Sequence, residues 1–143
     1  MKKLVFFLII VLVILSGFSY LYIINKANYN NTKKENFKYD SYYNKEITGT
    51  ELATVINRAI DNNMKYEIQK DSKGRYIANN ENSINIDIKF TDDDNIHQME
   101  IIYSNGIEKF VQFYGEIKFK CTKVEYHSAT NKVKYLLFEQ ITE

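Results

Sequence analysis

The chain has 143 residues with 19 basic and 18 acidic side chains, a balance that gives no compositional support to a nucleic-acid surface. It contains no proline and no tryptophan, which excludes a Pro-rich wall-spanning linker. A single cysteine, Cys121, excludes an intramolecular disulfide, so one small domain must be held by its core alone.

Residues 4–24 form an apolar run without a charged side chain, directly behind Lys2 and Lys3. At about 1.5 Å of rise per residue, such a run spans the roughly 30 Å hydrocarbon core of a bilayer as one helix. Leu4, Phe6, Ile9, Val11, Ile14 and Ile24 would face lipid, with Tyr20 and Tyr22 at headgroup level. The lysines assign the leading end to the cytoplasm and the rest of the chain to the outside. The alternative is a secretory signal, with Gly17-Phe18-Ser19 as the small-residue cleavage region. Either reading exports the domain. Cys121 lies too far along the chain to carry a lipid anchor.

The expected organisation is an anchor at 1–25, a polar stalk at 26–46 and an extracytoplasmic domain at 47–143. Asn, Lys and Tyr dominate the stalk, and no apolar period runs through it. Its sequon, Asn30-Asn31-Thr32, matters only in a eukaryotic secretory pathway.

The domain opens with Thr48-Gly49-Thr50-Glu51, which has the form of a capping box. Leu52, Val55, Ile56, Ala59 and Ile60 then repeat on one helical stripe, and Asn62-Asn63 is expected to end the helix. Strands are expected at 66–69 and 75–78 around the turn Asp71-Ser72-Lys73-Gly74. Ile84, Ile86, Ile88 and Phe90 alternate with polar residues as a half-buried strand. A turn at 91–95 leads to a return strand at 96–104. A short helix follows at 107–114, with Phe110, Val111 and Tyr114 on one face.

The last piece is a hairpin around a loop at 128–131. Its register sets His127 opposite Lys132, Tyr126 opposite Val133 and Glu125 opposite Lys134. Val124, Tyr126, Val133 and Tyr135 then share a face, and Glu125 and Lys134 form an ion pair on the other. Ile117, Phe119 and Cys121 alternate in the opposite phase, so a β-bulge near Thr122-Lys123 is expected. The fold class is α+β: an N-terminal transmembrane helix, then an antiparallel sheet packed by one long and one short helix.

Sites with chemistry are sparse. Asp92-Asp93-Asp94-Asn95 lacks the alternating ligands and glycine of a calcium loop and reads as a solvated turn. His97, His127 and Cys121 offer no close-spaced metal-ligand pair; the histidines read as exposed and the cysteine as a buried free thiol. No nucleophile elbow or phosphate-binding glycine loop is present, so neither an enzyme nor a cofactor is expected. Lys118, Lys120, Lys132 and Lys134 project away from the core in the expected register, a candidate face for an anionic partner.

The expected role is an anchored interaction module. It contacts the bilayer through residues 4–24 and another envelope protein, or an anionic wall polymer, through its domain. The order of apolar helix, amphipathic helix and antiparallel sheet is also similar in layout to type IV pilin-like proteins, which implies a structural subunit of a surface or secretion assembly. That family carries a glycine before the apolar helix and a glutamate at its fifth position, and here the run is uncharged. A flexible stalk favours the module, and a continuous helix through Asn36 favours the assembly subunit.

Overall fold

The structure is a computed structural model that describes residues 1–92 and 95–142. It divides into a unit at Met1–Lys34 and a second that begins at Glu35. Helix α1 (Lys2–Asp40) supplies all of the first unit except Met1, and its last residues belong to the second.

Within the first unit the side chains of residues 4–24 are exposed or half-buried, and apolar all round. A helix without a polar face has no way to sit on a soluble core, so it suits a bilayer span or a signal sequence. Ser16 and Ser19 donate back to the carbonyls of Val13 and Leu15, at 2.8 and 2.9 Å. Their hydroxyls therefore need no water, as a hydrocarbon setting requires.

The second unit adds β1 (Glu46–Thr48), α2 (Gly49–Lys65), β2 (Asn85–Lys89), β3 (Ile96–Gln98), α3 (Met99–Tyr114), β4 (Lys118–Tyr126) and β5 (Val133–Gln140). The strands form one sheet in the order β1-β4-β5-β2-β3. β2 runs parallel to β5, whereas the other pairs are antiparallel, so the sheet is mixed. Ile86 and Ile88 stand beside Leu136 and Phe138 in that parallel pair. Together with Phe119 and Cys121 of β4 they meet Leu52, Val55, Ile56, Ala59 and Ile60 of α2 and Met99, Ile102 and Phe110 of α3 in one core.

The polar segment expected to be a stalk is helical as far as Asp40 and does packing work at its end. Tyr39 is buried and donates to the Arg58 carbonyl at 3.2 Å. Arg58 in turn donates to the Lys38 carbonyl at 2.7 Å, a cation at a helix C-terminus. Asn36 accepts from the Val133 amide and donates to the Asn131 carbonyl, at 2.9 and 2.8 Å. Only two or three side chains carry this docking, too few to leave an apolar period in the sequence.

The capping box of α2 is complete. Thr48 accepts from the Glu51 amide at 3.2 Å, and the Glu51 carboxylate accepts from the Thr48 amide at 2.9 Å. Thr48→Ala should therefore cost about 1 kcal/mol, read as a lower urea midpoint for the full chain in detergent micelles. The helix runs past Asn62-Asn63 to Lys65, because the Asn63 side chain points inward to Ile84 instead of turning the chain.

Three strand expectations change. The segments at 66–69 and 75–78 are joined by one bridge, Lys70 to Tyr76, around the expected Asp71–Gly74 turn, where Gly74 has φ +81°. The return strand is limited to Ile96–Gln98, since Met99 and Ile102 bury at helical spacing and start α3. Helix α3 is accordingly longer than the short helix expected. It kinks at Gly106 (φ 102°, ψ 111°), so the expected short helix is its second half. The turn at 91–95 lies partly outside the described residues.

The C-terminal hairpin keeps its Tyr126–Val133 pairing and the bulge after Cys121. A second irregularity skips Lys134, so Glu125 faces Tyr135. Tyr135 thereby leaves the face shared with Val133 and donates its hydroxyl to Asp87 at 3.1 Å on the other side. Lys134 still reaches Glu125 at 3.1 Å, although it is not the residue directly opposite.

Candidate functional site: an aromatic groove beside the kinked helix

Helix α3, together with Phe90, Asp92 and His97, lines an open groove of about 340 Å³. The kink at Gly106 needs φ of +102°, which a glycine adopts without strain, and it lets both halves of α3 contribute to the lining. Phe110 and Tyr114 stack at 5.4 Å between ring centroids. The Phe90 ring lies 4.8 Å from Tyr114 and meets His97 edge-on at 5.1 Å. The buried Phe119 packs against two of these rings, 5.9 Å from Phe90 and 6.1 Å from Phe110.

The rim is also apolar. Phe113 is 72% exposed and Ile101 45% exposed, and both line the groove. Lys109, Asn105 and Asp92 supply its polar edge. A trough of this size and composition can take an aliphatic or aromatic group from another molecule, with hydrogen bonds only at the margin. Exposed apolar residues gathered at a groove mark contact sites more often than scattered ones do.

The four lysines of the candidate anionic-partner face have acidic or aromatic neighbours. Lys118 and Lys120 alternate with the buried Phe119 and Cys121, and in register Lys120 stands between Glu46 of β1 and Glu139 of β5. Lys134 is bonded to Glu125, as is Lys123 at 2.7 Å, and these two cations hold the Glu125 carboxyl below the usual range. Lys132 lies over the Tyr66 ring, 5.5 Å from its centroid. Opposite charges are thus interleaved with the cations.

Behind this surface Asp87 is buried, taking two contacts from the Arg75 guanidinium at 3.3 Å and the Tyr135 hydroxyl at 3.1 Å. Burial and the adjacent Asp87 charge push the Tyr135 phenol up. This triad ties the 69–78 segment to the sheet.

Cys121 is fully buried, and burial raises its thiol to about 11. Two units above its ordinary value lower the thiolate fraction about 100-fold, so alkylation by iodoacetamide near neutral pH should be slower in the folded than in the unfolded chain by at least that factor. Equal rates would show the thiol to be accessible. His127, expected to be exposed, is fully buried against Ser83. His97 sits on β3 beside Phe90, on the groove wall. Among the described residues no three His, Cys, Asp or Glu side chains gather as metal ligands.

Residues 107–114 carried part of the groove's signal, through Phe110 and Tyr114. The other wall was hidden because residues 96–104 read as a strand. Met99 and Ile102 at i and i+3, followed by the Asn105-Gly106 break, are the pattern that could have revealed it.

No protein-family model matches the chain, and no curated protein or solved structure matches it.

Proposed function

We propose that the chain is a single-pass membrane-anchored interaction module. Its domain works outside the cytoplasm and takes an apolar segment of another envelope protein into the groove beside α3. The observation that carries this reading is the exposed aromatic groove, with Phe113 at its rim, in a chain that also has an all-apolar N-terminal helix. Lys2 and Lys3 ahead of that helix support a cytoplasmic N-terminus. A binding role is supported by the ring-lined groove, with Phe113 exposed at its rim.

A second reading is a pilin-like subunit of a surface or secretion assembly. It is supported by α1 remaining helical through Asn36 to Asp40. Contact of the lysine-bearing sheet face with an anionic polymer is a further option for the same anchored module.

The test is photocrosslinking in intact cells, with the reactive residue placed at Phe113 or at Lys120, followed by fractionation and intact-mass analysis. A full-length membrane-bound product joined through position 113 to one envelope protein is the expected result. A ladder of the chain crosslinked to itself supports the assembly subunit. Capture through position 120 alone moves the contact to the lysine face, and a soluble product starting at Tyr20 removes the anchor.

A further inference from the structure

His127 begins the tip of the β4–β5 hairpin, and its ring is completely buried. Nε2 lies 2.7 Å from the Ser83 carbonyl oxygen, which can only accept, so Nε2 carries the proton. Nδ1 is buried as well and has no hydrogen-bond partner among the described residues. A bare lone pair there is tolerable. An N–H⁺ in the same place is a buried charge without an acceptor.

The surroundings do not offset that cost. Burial outweighs the bond to the Ser83 carbonyl, which favours a positive ring; Lys134 and Lys132, from the hairpin itself, oppose one, and Glu81, from the facing loop, favours it less strongly. The packing therefore holds the neutral tautomer with the proton on Nε2.

The hairpin tip is also where several pieces of the domain are fastened. Ser128 donates to the Asn80 side chain at 3.1 Å, and Thr130 donates to the Glu81 carbonyl at 2.6 Å. On its other side Asn36 of α1 bonds the Asn131 carbonyl and the Val133 amide. These contacts are polar bonds, distinct from the apolar packing that holds the Val133 and Tyr39 side chains in the core. Losing them need not unfold the core.

We propose that His127 is an acid-sensitive latch: a proton on Nδ1 frees the hairpin tip from loop 79–83, and with it the Asn36 contacts that seat residues 35–40 on the domain. The direction follows from burial, which lowers the His127 pKa below its ordinary 6.5. The open form, with a solvated ring, binds more protons than the latched form as pH falls. Latching is therefore complete above about pH 6.5 and is lost progressively below it. Each unit separating the two pKa values shifts the open-to-latched ratio about tenfold once pH lies below both.

Hydrogen exchange of the full chain in nanodiscs, at about pH 7.5 and about pH 5 and corrected for intrinsic rates, tests this. Protection in segments 36–43, 79–84 and 127–133 should fall at the lower pH, by up to about 30-fold for an open ring at its ordinary 6.5, while β2 and α2 stay protected. In His127→Gln the side-chain amide can still donate to Ser83 but cannot titrate, so the acid response should vanish. Unchanged protection in the parent overturns the latch, as does loss spread equally through the core, or an acid response that survives in His127→Gln. Should that variant fail to fold, NMR of ring-labelled histidine in the parent decides instead. A His127 that titrates at or above its ordinary value overturns the proposal; one that stays neutral until the tip opens supports it.

Discussion

Replacing Gly49 with alanine should lower the unfolding free energy by about 3 kcal/mol, seen as a fall in urea midpoint with an unchanged slope. Helix propensity alone points the other way, since alanine in a helix is favoured over glycine by about 1 kcal/mol. Sterics decide the sign. A Cβ on Gly49 would overlap the carbonyl of Tyr114, with the Gly115 Cα also in close contact. These are backbone atoms, so no rotamer change relieves the overlap. Moving the 114–117 segment instead would strain the bonds that finish the α2 N-terminus, from the Gly49 amide to the Ile117 carbonyl at 2.8 Å and from the Thr50 amide to the Gly115 carbonyl at 3.1 Å. It would also disturb Tyr114, a wall of the groove, so the variant should weaken crosslinking from position 113 as well. Gly17, with nothing within 4 Å of its would-be Cβ, serves as the control and should tolerate alanine. A Gly49→Ala chain as stable as the parent would mean that α2 and α3 do not approach this closely.

That close approach shows what the sequence could and could not express. The capping box and the apolar stripe of α2 were legible because both are local: hydrogen bonds three residues apart and a 3.6-residue period. The bulge after Cys121 was legible too, because the apolar alternation changes phase there. Strand order was not. β5 pairs with β4 through a short loop, yet it also lies parallel to β2, and nothing local in Leu136, Leu137 or Phe138 names that neighbour. Reading consecutive strands as hairpins made the sheet antiparallel throughout.

The same limit applied to polar residues. Asn-rich composition said nothing about which asparagines matter. Asn36 is a fastening point for the hairpin tip, and Asn79 accepts from the amides of Glu81, Asn82 and Ser83 at 3.0 Å each. Asn57, half-buried on α2, makes no side-chain hydrogen bond among the described residues. Burial of His127 was equally invisible, because its partner Ser83 lies on a different loop. The groove combines both difficulties: its rings come from Phe90 just past β2, His97 of β3 and the second half of α3, while the first half of α3 adds Ile101 and Ile102 from a stretch that reads as strand.

Among these asparagines, Asn63 should show the largest loss. Its side chain is fully buried and brackets one residue, donating to the Ile84 carbonyl at 2.6 Å and accepting from the Ile84 amide at 2.8 Å. Asn63→Leu keeps the volume but leaves both backbone groups of a buried residue without partners. At about 1–3 kcal/mol for each unmet group, the expected destabilisation is about 3 kcal/mol. Asn63→Asp separates the two bonds, since a carboxylate can accept from the Ile84 amide but cannot donate to its carbonyl. It also buries a charge, so it should be at least as damaging at neutral pH and should recover partly in acid, where the protonated carboxyl can donate. Asn57→Ala should be neutral or slightly stabilising. The measurement is urea unfolding of the full chain in micelles, with hydrogen exchange of β2 as the local reading. If Asn63→Leu lost less than about 1 kcal/mol, the Ile84 groups would have to find other partners, and the bracket would not be what starts β2 beside β5. If the loss is as large as expected, one side chain at the end of α2 sets where the central parallel strand begins, and so where Phe90 at its far end meets the groove.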